Sequence, residues 1–144
     1  VTDIELDSFT QDDAYRLGRM LVDRAIEQGL MGVVDISTPN CRWFHVSFGG
    51  ATADNDSWAE RKAATAFRFE TSSLEAARTL DGRDAFGSGW LDPARYVLGG
   101  GAVPIRVKGA GVVAVVSSSG LGTGEMEHDF AVAGIRELAT SSEE

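Results

Sequence analysis

At 144 residues, with 43% hydrophobic and 24% charged side chains, the chain has the size and composition of one globular domain able to bury a core without disulfides or metal. Its 22 acidic against 13 basic residues, a net charge of -9, argue against nucleic acid and against anionic membrane surfaces, both of which call for clustered Lys and Arg. Cys41 is the one cysteine and there are two histidines, too few for an intramolecular disulfide or a zinc spacing, so no metal site is expected. No apolar run reaches membrane-spanning length, and the first nine residues, VTDIELDSF, lack the basic flank and apolar centre of a signal peptide. The expected location is the cytoplasm.

Thr10 is placed to cap a first helix, with Gln11, Asp12 and Asp13 in its first turn. Ala14, Leu17, Gly18, Leu21, Val22 and Ala25 then form an amphipathic stripe that ends at Gly29, and Gly18 lets the helix lie close to a sheet. A strand follows over Gly32 to Ser37, a turn at Thr38-Pro39-Asn40, and a second strand from Cys41 to Phe48. Alternation puts Phe44, Val46 and Phe48 on one face of that strand and Cys41, Trp43, His45 and Ser47 on the other. The second face therefore needs a cover, either a helix or another subunit. His45 on that face is read as a packed, hydrogen-bonded histidine in preference to a metal or haem ligand.

Asp54 to Ser57 offers several caps for the next helix, which runs to about Phe69. Ala59, Ala63, Ala66 and Phe67 make a close-packing face, and Trp58, Lys62, Thr65 and Phe69 a neighbouring stripe. Lys62 between aromatics has two readings, a cationic pocket residue or a lysine that lays its stem on Trp58 and reaches water; the second is favoured. Ser72 and Glu75 form a capping box for a short helix ending near Asp81-Gly82. From Arg83 to Ala102 the chain is least regular, with at most one helical turn from Asp92-Pro93 to Tyr96, and reads as a lid or as an arm for another subunit.

The stretch from Gly99 to Asp129 organises the rest. Val103 to Val107 and Val112 to Val116, joined by Lys108-Gly109-Ala110-Gly111, are expected to form a β-hairpin whose second strand is central and covered on both faces. Ser117 to Gly124 is read as a glycine-rich elbow into a last helix, Glu125 to Ala139, with Ala131, Ile135 and Leu138 buried and Thr140 to Glu144 a polar tail. Glycine-rich turns at helix starts attract anions through backbone N–H groups. Here Glu125, Glu127 and Asp129 already complement the helix dipole, and no Lys stands in the G-K-[ST] position, so phosphate is disfavoured.

Several stretches together carry a family resemblance that covers nearly the whole chain. They are Phe9 to Ala14 with Leu17-Gly18, Asp54 to Trp58 with Arg61-Lys62, Ser72-Ser73, Gly99-Gly100-Gly101 with Pro104-Ile105, and Ser118 to Leu121 before an acidic helix. On these residues the sequence resembles the GlcG/HbpS-like, haem-degrading-domain family, in its uncharacterised branch. The resemblance implies an α+β fold of profilin-like type, a small antiparallel sheet of four to five strands with helices on both faces, and assembly into homo-oligomers, dimers or larger. It departs at Glu127-His128-Asp129-Phe130, where that branch carries an acid followed by His at a position offset by one residue.

The expected function is that of an oligomeric small-ligand-binding protein, with haem or another tetrapyrrole as the ligand the family label suggests. The candidate pocket comprises Asn55, Trp58, Arg61, Lys62, Gly100, Gly101, Ser118, Ser119 and Gly120, with Arg61 and Lys62 for propionates, Trp58 for stacking, and His45 or His128 for iron. The alternative is a non-catalytic assembly or adaptor protein acting through partner contacts. No catalytic constellation is legible, since Ser118 and Ser119 do not lie in G-x-S-x-G and no triad or carboxylate pair has a readable spacing.

Overall fold

The structure, a computed structural model, describes residues 4–142. Five strands and four helices follow in the order β1 (Glu5–Leu6), α1 (Gln11–Glu27), β2 (Gly32–Ser37), β3 (Arg42–Phe48), α2 (Ala53–Phe69), α3 (Ser73–Thr79), β4 (Ala102–Val107), β5 (Gly111–Ser119) and α4 (Gly124–Ser142). The sheet order is β1-β4-β5-β2-β3, with every pairing antiparallel except the short β1 beside β4. The α+β sheet of the sequence reading is thus present, made mixed by a two-residue strand too short to leave a periodic signal.

Helices α1 and α4 cover one face and α2 the other. Leu17, Leu21, Ile36, Val103, Ile105, Val116 and Ile135 form the main core between α1, α4 and the sheet. Each such side chain, taken fully from water, contributes about 1.5–3 kcal/mol. The α1 stripe is buried at each of its six positions, and its N-terminus carries a reciprocal box between Thr10 and Asp13. A Cβ on Gly18 would run into the Phe44 ring, which explains glycine inside this helix. The α2 face is thinner, with Ala63, Ala66, Ala102 and Val115 in contact. These small residues let the α2 backbone approach β5.

Four expectations are corrected. The cap of α2 is Thr52, whose backbone N–H donates to Asn55 Oδ1 at 2.9 Å, so the helix opens earlier than the Asp54–Ser57 run suggests. β5 runs on through Ser119, because Ser117, Ser118 and Ser119 pair with Asp35, Val34 and Val33; the turn is Gly120 to Thr123. The last helix continues to Ser142, and only Glu143 and Glu144 of the expected tail lie outside the described residues.

The fourth correction concerns β3. Its pairing with β2 shifts between Ile36 and Ser37, so that Trp43 is a β-bulge and Arg42 pairs with Ser37. Trp43 therefore leaves the His45 face and stacks on Phe9 with ring centres 6.2 Å apart. Arg42 takes its place beside Asp35.

The arm between α3 and β4 is neither bare nor loose. Leu91 and Tyr96 pack with Leu80 and Ala85 in a small core of their own against Ala64 and Phe69 of α2. The Thr65 hydroxyl donates to Val97 O at 2.7 Å, pinning the arm to α2.

Candidate functional site

Lys62 belongs to the inward stripe Ala59, Lys62, Ala63, Ala66 of α2 and is only 4% exposed. The reading in which it reaches water along Trp58 is therefore overturned. Its ammonium donates to Gly100 O at 3.2 Å, to Ser118 O, and to Glu127 Oε1 at 2.9 Å, which uses all three of its N–H donors. Glu127 is equally buried, and its second oxygen accepts the Leu121 N–H at 3.0 Å. One ion pair thus ties α2 to the loop before β4, the end of β5, the turn and the start of α4. Burial lowers the pKa of the Lys62 amine, opposed by the Glu127 carboxylate. The role assigned to Glu127 in the sequence, dipole complement at the helix start, misses this pairing.

Above the pair opens a pocket of about 300 Å³ between the start of α2, the Gly99-Gly100 loop and the turn after β5. Asn55, Trp58, Lys62, Gly100, Ser119 and Gly120 of the expected set line it. Gly101 and Ser118 lie beneath it, where a Cβ on Gly101 would collide with Lys62 Nζ and where the Ser118 carbonyl receives that amine. Gly100 is glycine for a similar reason, since a Cβ there would strike the Gly124 carbonyl. Arg61 points away from the pocket and lines a different cleft, its guanidinium 4.8 Å from the Trp58 ring centre. Asp54 and Glu127 line the pocket while its one ammonium is already neutralised, so its field does not favour anions.

The histidines do not offer the pocket a metal ligand. His45 Nδ1 lies 2.8 Å from Asp35 Oδ2 and Nε2 lies 3.1 Å from Asp56 Oδ1, so both ring nitrogens are engaged by carboxylates. The packed, hydrogen-bonded reading of His45 fits this geometry. His128 is 6% exposed beside Glu127 on the buried row of α4, with Nδ1 unpartnered among the described residues, and it lines neither cavity. Burial lowers its pKa, with Asp129 opposing and Arg78 adding to the effect, so a neutral imidazole is favoured there. A haem held by either histidine, with Arg61 and Lys62 on its propionates, does not fit these residues. Among the described residues no group of three or more His, Cys, Asp or Glu is placed to hold a metal ion, and no helix is long and apolar enough to cross a membrane.

On the other flank of α2 lies a larger cleft of about 930 Å³, walled by the Thr38–Arg42 corner, the outer face of α2 and Ala94 to Tyr96 of the arm. It lies outside the pocket expected from the sequence. Asp35 sits at its edge, 3% exposed and ion-paired with Arg42 at 2.6 Å. The available signals were a carboxylate inside an otherwise apolar strand and the arginines Arg61 and Arg68, seven residues apart on one helix face.

The fold and most of the sequence have known counterparts. A UPF0303 protein of Streptomyces avermitilis is 38% identical over 139 residues, covering 95% of this chain and 85% of its own length. Among solved structures, the crystal structure of the Ybr137w protein superposes with a TM-score of 0.88 at 31% identity, covering 96% of this chain and 83% of its own. A PduOC:heme complex superposes with a TM-score of 0.74 at 23% identity over 90% of this chain and 94% of its own, a likeness of fold alone. The model of the family described as "Haem degrading protein HbpS-like" matches residues 9–136. The chain belongs to this HbpS-like family, as its resemblance to that family implies.

Proposed function

We propose that this protein is a small-ligand-binding domain whose site is the glycine-walled pocket over Lys62 and Glu127. The observation that supports this reading is the buried ion pair. Burying two charges costs several kcal/mol each before their attraction is counted, and an apolar pair of similar volume would hold the same segments at least as well. Here the pair ties the Gly100 loop, the end of β5 and the turn after it beneath an open space, leaving glycine backbone, Ser119 and the partly exposed Trp58 ring facing it. With its ammonium neutralised and Asp54 at the rim, the pocket suits an uncharged, planar, polar ligand stacked on Trp58.

Nicotinamide and uracil are suitable probes, followed in amide-resolved NMR spectra. The expected result is saturable shifts at Gly99, Gly100, Gly120 and Gly122 and at the Trp58 indole, lost in Trp58→Ala. Absence of saturable shifts there, or shifts indifferent to Trp58→Ala, overturns the reading. The family's description makes hemin the parallel probe. Any Soret change is expected to be the same in His45→Ala and His128→Ala as in the unaltered protein, and its loss in either variant would restore histidine ligation.

A second reading, self-association, is supported by the open outer edge of β3 and by Tyr15 and Ile26, each more than half exposed on α1. Light scattering after size exclusion tests it. An oligomer that Tyr15→Glu dissociates would support this reading, and a monomer at all concentrations would remove it. Trp43→Glu is unsuited to this purpose because Trp43 packs on Phe9.

A further inference from the structure

We propose that the cleft on the outer flank of α2 is a second binding site, for a planar organic polycarboxylate. It stands independently of the glycine-walled pocket. Arg61, Arg68 and Arg95 line it, and none makes an ion pair with a carboxylate among the described residues, although the chain carries nine more acids than bases. The Arg68 and Arg95 guanidiniums lie 5.0 Å and 5.4 Å from the centre of the same Tyr96 ring. Two like charges gathered on one aromatic ring repel each other, and an anion reaching both would turn that repulsion into charge-assisted hydrogen bonds.

Both guanidiniums belong to exposed side chains and rest over aromatic rings. Tyr96 is buried, Arg68 also faces the Phe69 and Trp90 rings, and the segment bearing Tyr96 and Arg95 is tied to α2 through Thr65 and Val97.

The same cleft argues for an organic anion over inorganic phosphate. Ala63, Ala64, Phe67 and Val112 give it an apolar wall that a phosphate would leave uncovered. A volume of about 930 Å³ lies in the range of sites for drug-sized molecules. Its acids act as a selectivity element. Asp35 is satisfied by Arg42 and His45, whereas Glu60 and Glu70 face the cleft without an ion pair among the described residues and disfavour a compact, dense anion more than one whose charges are spread over a flat frame. Planar guanidinium forks match carboxylates in two-point contacts, which sets the ligand's edge toward Arg68 and Arg95 and its face toward Phe67.

Calorimetric titration with benzene-1,3,5-tricarboxylate, and separately with pyrophosphate, at constant ionic strength tests the assignment. One tricarboxylate per chain is expected, with pyrophosphate weaker by at least about tenfold, the equivalent of one lost favourable contact. Arg68→Gln and Arg95→Gln each weaken the tricarboxylate by about tenfold, as expected for removal of one charge-assisted pair. Arg19→Gln, far from the cleft on α1, leaves it unchanged, and circular dichroism confirms that each variant is folded. Three results overturn the proposal: no saturable heat with the tricarboxylate, equal weakening by Arg19→Gln, or pyrophosphate binding as tightly as the tricarboxylate.

Discussion

The two flanks of α2 treat charge in opposite ways. On the inner flank Lys62 is enclosed, its three donors consumed by two carbonyls and Glu127, and the pocket above is shaped by what that pair holds in place. On the outer flank Arg61, Arg68 and Arg95 rest over aromatic rings, with no carboxylate pairing them among the described residues. A charge satisfied internally contributes shape. A charge left over is available for recognition, and the two proposals accordingly give different ligand chemistries to two cavities only one helix apart.

The largest test of that contrast is Lys62→Met. It leaves Glu127 buried without a counter-charge, and removal of one partner from a buried pair costs about 3–5 kcal/mol. Urea unfolding is expected to show a lowered midpoint, with part of the loss recovered in Lys62→Met/Glu127→Leu. An effect no larger than that of an exposed lysine would erase the distinction between the flanks.

Leu91→Ala probes the other side. Leu91 is fully buried in the arm's own core, and truncation of a buried leucine costs about 2–5 kcal/mol. The cleft wall should loosen, seen as a shift in Trp90 fluorescence, while amide signals of the Gly99-Gly100 loop stay in place. If both move together, the flanks are one cooperative unit.

Gly100→Ala is smaller, about 1–3 kcal/mol for forcing a methyl against the Gly124 backbone, and should disturb the pocket without touching tricarboxylate binding.

The smallest effect is that of His128→Gln on the pH dependence of unfolding. With the folded pKa lowered by burial, the unfolded chain binds the proton first. The stability contributed by the neutral imidazole is therefore complete above about pH 6.5 and is lost as pH falls from there toward the lowered folded value. The variant should show a shallower acid-side decline in Tm than the unaltered protein, and parallel curves would contradict the assignment.

These outcomes depend on residues whose legibility in the sequence differed. The α1 stripe, the hairpin and the central position of β5 follow from period and turn chemistry, which are local. The pocket walls were also legible, because glycine runs beside a strand mark close backbone approach. The partner of Lys62 is not legible locally, since it lies 65 positions further along the chain. The signal was nevertheless there. Glu127 lies four residues before Ala131 and eight before Ile135 on the buried row of α4, as Lys62 lies within an alanine stripe, so two opposite charges occupied two inward faces. The cleft was hidden for a different reason. Its walls come from the arm, which has no period, and from β3, whose alternation changes phase inside the strand.

That phase change has a consequence for how this protein tolerates insertions and deletions. Removing Trp43 would leave a regular ladder in which Arg42 still faces Ser37 on the side of Asp35, losing the stack on Phe9 and keeping the ion pair, whereas a strand that kept Trp43 and paired it with Ser37 would turn Arg42 toward the α1 side and strip Asp35 of its guanidinium. The chemistry at one end of β3 is thus set by the bulge as much as by residue type. Relatives that keep every polar side chain of the cleft and the length of this strand but pair it without the bulge would have the parts of the site without its assembly.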